Sequence, residues 1–190
     1  MHAASINGIF WSVPSSTAGD VPTLGNTPGP GATEWGTFTA SALQFSGDSD
    51  YTLGGFLNSF GAASNIVYIN GAGAGSDLSN VLFEFTGTAE FINGDTFSVL
   101  HDDGVNMYVD GKLVVGAPGL TAPATDTYTY TGPSGVQSFD FIYANGPPSQ
   151  ADFQTTLNSA PTSGMPEPAT LTLLPVGLAA LWFVRRRVRP

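Results

Sequence analysis

The chain has 190 residues, fifteen acidic side chains against five basic ones, and no cysteine, so disulfides and thiol chemistry are excluded. Fourteen of the fifteen acids but only one of the five bases, Lys112, precede Pro166, which leaves that part with about thirteen net negative charges. Nucleic acid and anionic lipid surfaces are poor partners for it, because binding them needs a basic face, whereas divalent cations and neutral glycans are compatible. Acidity of this kind also serves solubility by itself.

Gly, Ser, Thr, Ala and Pro dominate, and short apolar or alternating runs are bounded by Gly, Asn and Asp. That is a β pattern. In chain order it predicts strands over Ile6–Val13, Gly36–Phe45, Asn65–Ile69, Val81–Phe91, Thr96–His101, Val105–Val109, Lys112–Val115, Thr127–Thr131, Val136–Tyr143 and Asp152–Leu157. Pro14–Thr33 reads as a turn-rich loop and Gly71–Ser76 as a flexible Gly/Ala loop. No long segment before the last 26 residues carries a 3.6-residue period, and no internal repeat is visible. The expectation is an all-β, antiparallel domain over residues 1–158, a β-sandwich or a Greek-key barrel, long enough to bury a sizeable core. Ser159–Gly164 reads as a linker.

The chain ends in three unlike elements in fixed order: Pro166-Glu167-Pro168, an uncharged apolar run from Ala169 to Val184, and a basic end at residues 185–190 carrying Arg185, Arg186, Arg187 and Arg189. As a helix the run reaches roughly 24 Å, short of the ~30 Å hydrocarbon core unless the bilayer thins or the arginines snorkel. The arginines would stay on the cytoplasmic side and place everything before Pro166 outside. A buried core helix with a solvated basic end is the alternative, but four of the five bases in the last six positions argue against it.

This order resembles the PEP-CTERM sorting signal of Gram-negative bacteria, also known as the ice-binding-protein C-terminal domain. The resemblance implies an exported protein with a single transmembrane helix at about 169–184. It would be held transiently in the inner membrane, processed by an exosortase that reads Pro166, Glu167 and Pro168, and released to the cell surface or extracellular matrix. Such a protein is expected to have a secretory signal peptide. Met1-His2-Ala3-Ala4-Ser5 shows neither a basic region nor an apolar run, although its small residues resemble the end of a cleavage site. The true start is therefore expected upstream of Met1.

The segment most able to carry chemistry is Phe97–Gly116, FSVLHDDGVNMYVDGKLVVG. Asp103-Gly104 and Asp110-Gly111 each separate strand-like runs, and Asp-Gly is a strong hairpin signal because a type I′ turn needs positive φ at both central residues. One reading is a plain three-strand meander with two tight turns. The other starts from a resemblance. A strand ending in Asp-Asp-Gly, then Tyr108-Val-Asp-Gly-Lys-Leu-Val-Val, then a later strand ending in Tyr143 before a small polar loop resembles the PA fourteen domain, a β-sandwich named from bacterial protective antigen. The likeness runs from about Asn80 to Phe153 and includes Ala151-Asp152-Phe153. In the sugar-binding, flocculin-type members two adjacent Asp residues bind Ca²⁺, often across a cis peptide bond, with an Asn from the later loop. Here the resemblance implies Asp102, Asp103 and Asn145 as Ca²⁺ ligands, and a glycan or exopolysaccharide as partner. Ca²⁺ takes six to eight oxygens, so water or sugar hydroxyls would fill the other positions.

His101 stands beside the Asp pair, but no nucleophile motif accompanies it and the other histidine is His2, so catalysis is not expected. Zinc is not expected either, with no Cys and no His pair. Trp11, Trp35, Tyr128, Tyr130 and Tyr143 are candidate sugar-stacking platforms or, alternatively, core and cross-strand aromatics. Three functions remain open: a non-enzymatic envelope module for Ca²⁺-assisted glycan binding or adhesion, a structural matrix component without a specific ligand, and a glycan-processing enzyme.

Overall fold

A computed structural model describes residues 6–47, 51–146 and 151–157. The linker at 159–164, the tail at 165–190 with Pro166, Glu167 and Pro168, the membrane helix at about 169–184, and Arg185, Arg186, Arg187 and Arg189 lie outside the described residues. Among the described residues no helix is long and apolar enough to cross a membrane.

Among the described residues eleven strands form two antiparallel sheets: β1 Ile6–Ser12, β2 Thr33–Ala40, β3 Gln44–Ser46, β4 Ala63–Tyr68, β5 Val81–Phe91, β6 Thr96–Asp102, β7 Gly104–Val109, β8 Lys112–Ala117, β9 Ala124–Thr129, β10 Gly135–Asn145 and β11 Asp152–Thr155. The larger sheet runs β4-β2-β1-β5-β10-β7-β8 and the smaller β3-β11-β6-β9. The expected antiparallel sandwich is present. Its interior is an aromatic stack. Phe85 lies 4.8 Å from Phe153, 5.3 Å from Phe45 and 5.6 Å from Phe38, ring centre to ring centre, while Tyr143 stacks on Phe153 at 5.1 Å. Such offset and edge-on pairs add to plain area burial.

Three expectations fail for physical reasons. Gly36–Phe45 is two strands, β2 in the larger sheet and β3 in the smaller. Phe38 and Phe45 are an odd number of residues apart, so one strand would point them to opposite faces. Both face the interior and touch edge-on at 6.0 Å, which the crossing between sheets allows. The meander reading of Phe97–Gly116 is half right. Asp110-Gly111 is the expected tight turn, with φ of 46° and 75°, closing β7 onto β8. Asp103-Gly104 is no hairpin: β6 belongs to the smaller sheet and β7 to the larger, and the chain changes sheet at Asp103. Gly104 is required here for room, since a Cβ would sit 2.5 Å from Pro118 O and 2.7 Å from Val21 Cγ2.

The turn-rich segment also does more than connect. Within Pro14–Thr33, the short helix α1 (Ser15–Ala18) and a 3₁₀ turn at Leu24–Asn26 lie against the outer face of the larger sheet. There Ala18 and Val21 bury Trp11, Leu82, Tyr108, Ile142 and Ala144 in a second apolar cluster. A second helix, α2 (Leu53–Asn58), went unread because six residues give too short a period. The Thr52 hydroxyl caps it by accepting Gly55 N–H at 3.0 Å, and Leu53, Phe56 and Leu57 plug the core.

Phe85 touches Phe38, Phe45 and Phe153 from three other strands and Phe83 on its own, so its loss should open a cavity that the stack cannot close. Phe85→Ala is expected to destabilise the domain by about 3–5 kcal/mol, read as a lower midpoint in urea at unchanged slope.

Candidate functional site

The crossing from β6 to β7 brings the sequence-predicted residues together. Asp102 ends β6, Asp103 follows it, and the peptide bond between them is cis. Asn145 lies not in a loop but at the last position of β10, opposite Val81 of β5, because β10 runs two residues further than its pattern indicates. All three are buried, with 2%, 5% and 1% of their surface exposed.

Asp103 is a junction. Its Oδ1 accepts the Thr121 N–H at 3.1 Å and its Oδ2 accepts the Gly146 N–H at 2.7 Å. The β8–β9 connection and the end of β10 are thus fixed to one carboxylate by charge-assisted bonds. His101 Nδ1 donates to the main-chain oxygen of Asp103, and its Nε2 faces Asp126 Oδ2 on β9 at 3.2 Å. His101 is therefore a buried brace between β6, β9 and the crossing.

Asn145 is held differently. Its Nδ2 donates to Leu78 O at 3.0 Å, which fixes the orientation of the amide. The other end, Oδ1, is buried and accepts no hydrogen bond. A buried carbonyl without a donor is costly, and a cation would satisfy it.

Tyr143 closes the floor. Its hydroxyl donates to the main-chain oxygen of Asp102. Burial, and then the charges of Asp102, Asp103 and Asp152, push that phenol well above its ordinary range. Asp152 is the residue the sequence did not single out. It is opposite Asp102 in the β11–β6 pairing and 8% exposed. Its only signal was a polar residue set between Ala151 and Phe153, both fully buried. Lys112, the single Lys or Arg among the described residues, stands at the far end of β7 from these acids.

The oxygens available here suit a hard cation: carboxylates from Asp102 and Asp103, the Asn145 amide and main-chain carbonyls. Among the described residues no three His, Cys, Asp or Glu side chains converge to hold a metal, so an ion would depend on the amide and carbonyl oxygens as well. The donor set fits Ca²⁺ and not zinc. The aromatic platforms are largely withdrawn from solvent. Trp11, Tyr130 and Tyr143 are buried, and Trp35 and Tyr128 are half-buried against the core. A separate cleft of about 670 Å³ lies between the Pro14–Thr33 segment and the β7–β8 hairpin, lined by Thr17, Asp20, Asn26, Asn106, Tyr108 and Leu113. None of the predicted site residues reaches it.

Solved structures share this architecture. The PA14 sugar-binding domain of an RTX adhesin superposes with a TM-score of 0.56 at 21% identity, over 81% of this chain and 89% of that one. The PA14 domain of the MpAFP antifreeze protein gives 0.53 at 21% identity, over 83% of each chain. The chain has the PA14 fold. No family model and no curated protein matches the sequence. At this identity the likeness speaks for the fold alone, and the acid pair at the sheet crossing must be judged on its own chemistry.

A second acidic pair lies on the outer face of the larger sheet. Glu84 of β5 and Asp140 of β10 are diagonal neighbours across paired strands and hydrogen-bond to each other. Burial, and then the Glu84 charge, raise Asp140 from its usual value near 3.8 to about 7, and burial raises Glu84 as well. The folded state thus holds a proton that the unfolded chain releases. The stabilisation is complete below the ordinary carboxylate range and is lost as pH rises through about 7. Asp140→Asn, which keeps one hydrogen-bonding group without the charge, should melt higher than the native protein at pH 8. The difference should shrink as pH falls below about 7 and disappear only below the ordinary carboxylate range, near 3.8, as followed by circular dichroism. The offset corresponds to about 2–4 °C for each kcal/mol recovered in a domain of this size.

Proposed function

We propose that this is an exported, non-enzymatic module of the cell surface or extracellular matrix that binds a neutral glycan through a Ca²⁺ ion held by Asp102, Asp103 and Asn145. The observation that carries the reading is the Asn145 carbonyl, buried and unpaired at the end of β10 beside the Asp103 junction. A Ca²⁺ ion would take that oxygen together with the acid pair and leave coordination positions open for vicinal hydroxyls. The fold likeness to a sugar-binding adhesin domain supports the glycan as partner. The acidic character of the part before Pro166 supports a cation as intermediary between a negative protein and a neutral polymer.

Sorting belongs to the same proposal. Residues 1–158 form the exported domain and 159–164 the linker. Pro166, Glu167 and Pro168 are the exosortase's recognition residues, and the apolar run about 169–184 holds the chain transiently in the inner membrane of a Gram-negative bacterium. Arg185, Arg186, Arg187 and Arg189 fix its orientation. The support is the order of these elements at the chain end.

One observation favours the structural alternative, a matrix component with no ligand. Both Asp103 oxygens already accept main-chain N–H groups, as they would in a purely architectural corner.

A thermal melt with and without Ca²⁺ separates the two. A ligand bound by the folded state alone raises the midpoint, by about 2.7 kcal/mol of stability at a hundredfold excess over Kd. The shift is expected in the native protein and should vanish in Asp102→Ala and Asn145→Ala. No shift in the native protein rejects the ion. A shift with no binding on a glycan array in Ca²⁺ keeps the ion and rejects the glycan.

A further inference from the structure

The two sheets end in four strand edges: β4 and β8 in the larger, β3 and β9 in the smaller. An open edge offers unpaired main-chain groups to any other strand, and proteins commonly guard it with charge, brevity or a bulge. Three of the four edges are guarded. β8 begins with Lys112 and is out of register with β7 between Met107 and Tyr108. β9 carries Asp126, and β3 is three residues long.

The fourth is not. Residues 51–76 contain no Asp, Glu, Lys or Arg in a chain with fifteen acids. β4 lies in the middle of that stretch. Its second half and the residue that follows it are β-branched and aromatic, Ile66-Val67-Tyr68 and then Ile69, with 53% of Val67 and 38% of Ile69 exposed. Its irregularity sits before this run, at Asn65 with φ of 52°. Ile69 N–H donates to Trp35 O at 2.9 Å, toward the neighbouring strand. By strand alternation the main-chain groups of Tyr68 then point to the open edge. Ile66 and Tyr68 pack against the core yet stay partly exposed, as the last strand of a seven-stranded sheet facing a four-stranded one would.

We infer that β4 is an association edge and that its partner is β4 of a second copy, paired antiparallel about a two-fold axis through Tyr68. Charge selects this occupant. Two strongly acidic copies repel over most of their surfaces, and this uncharged strand is where their main chains can meet without placing like charges opposite each other. The register is self-complementary: Val67 stands opposite Ile69 of the partner subunit, so the two exposed apolar side chains cover each other. The interface is isologous and closes on itself, joining two larger sheets into one.

Sedimentation velocity of the full chain in a mild detergent, across a concentration series, tests this. A monomer–dimer equilibrium is expected. Val67→Lys should weaken it by about tenfold or more, since it puts two ammonium groups into the pairing. Val136→Lys, at an exposed apolar position on β10, should leave it unchanged. Circular dichroism would establish that both variants are folded. Amide exchange at Ile66 and Tyr68 should slow as the dimer fills. A chain that stays monomeric throughout, or a dimer equally strong in Val67→Lys, overturns the inference. So does slow exchange at Ile66 and Tyr68 in a monomer, which would mean that another segment covers β4.

Discussion

Asp103 holds three stretches of chain at one point. One carboxylate oxygen fixes Thr121, the other fixes Gly146, and its main-chain oxygen receives the His101 ring. Through those contacts the crossing from the smaller to the larger sheet, the β8–β9 connection and the end of β10 share a common anchor. An ionised carboxylate is well matched to the task, because bonds to a charged acceptor are shorter and stronger than neutral ones. The cost is a buried charge next to others. Asp102 and Asp152 face each other across β6 and β11, and the Tyr143 phenol feels all three acids. Burial of like charges is unfavourable unless something positive offsets it.

The Asn145 amide sharpens the point. Its nitrogen end is committed to Leu78, so its oxygen cannot turn away to find a donor. A corner built only for stability would gain from replacing that group by an apolar one. A corner built to hold a cation needs such an oxygen in such a fixed place. The aromatic stack beneath it, from Tyr143 through Phe153 to Phe85, gives the site a rigid floor. The Glu84–Asp140 pair, on the other face of the larger sheet, is a separate acidic feature with its own pH dependence.

Much of this was legible in the residues. Alternation located most strands, and the Asp110-Gly111 turn followed from its demand for positive φ. The resemblance pointed to Asp102, Asp103 and Asn145, and Asp103 accepts the N–H of Gly146, the residue after Asn145. What alternation could not reveal is which sheet a strand joins. Phe38 and Phe45 lie on one apparent strand, and only tertiary pairing makes both face inward. For the same reason Asp103-Gly104 read as a hairpin although it is a change of sheet. Asp152 was hidden because its significance depends on the strand opposite, and a sequence does not display its cross-strand neighbours. The burial of Trp11 and Tyr108 was equally invisible, since it arises from a loop that folds back over them.

The ion at this corner is tested most directly by terbium luminescence. Tb³⁺ replaces Ca²⁺ at oxygen-rich sites and emits when an adjacent phenol is excited, and the Tyr143 hydroxyl is bonded to Asp102 itself. Sensitised emission should appear in the native protein, be displaced by excess Ca²⁺, and be lost in Asn145→Ala with the fold intact. Absence of emission in the native protein, or emission undiminished in both Asn145→Ala and Asp102→Ala, would contradict a cation held by these residues.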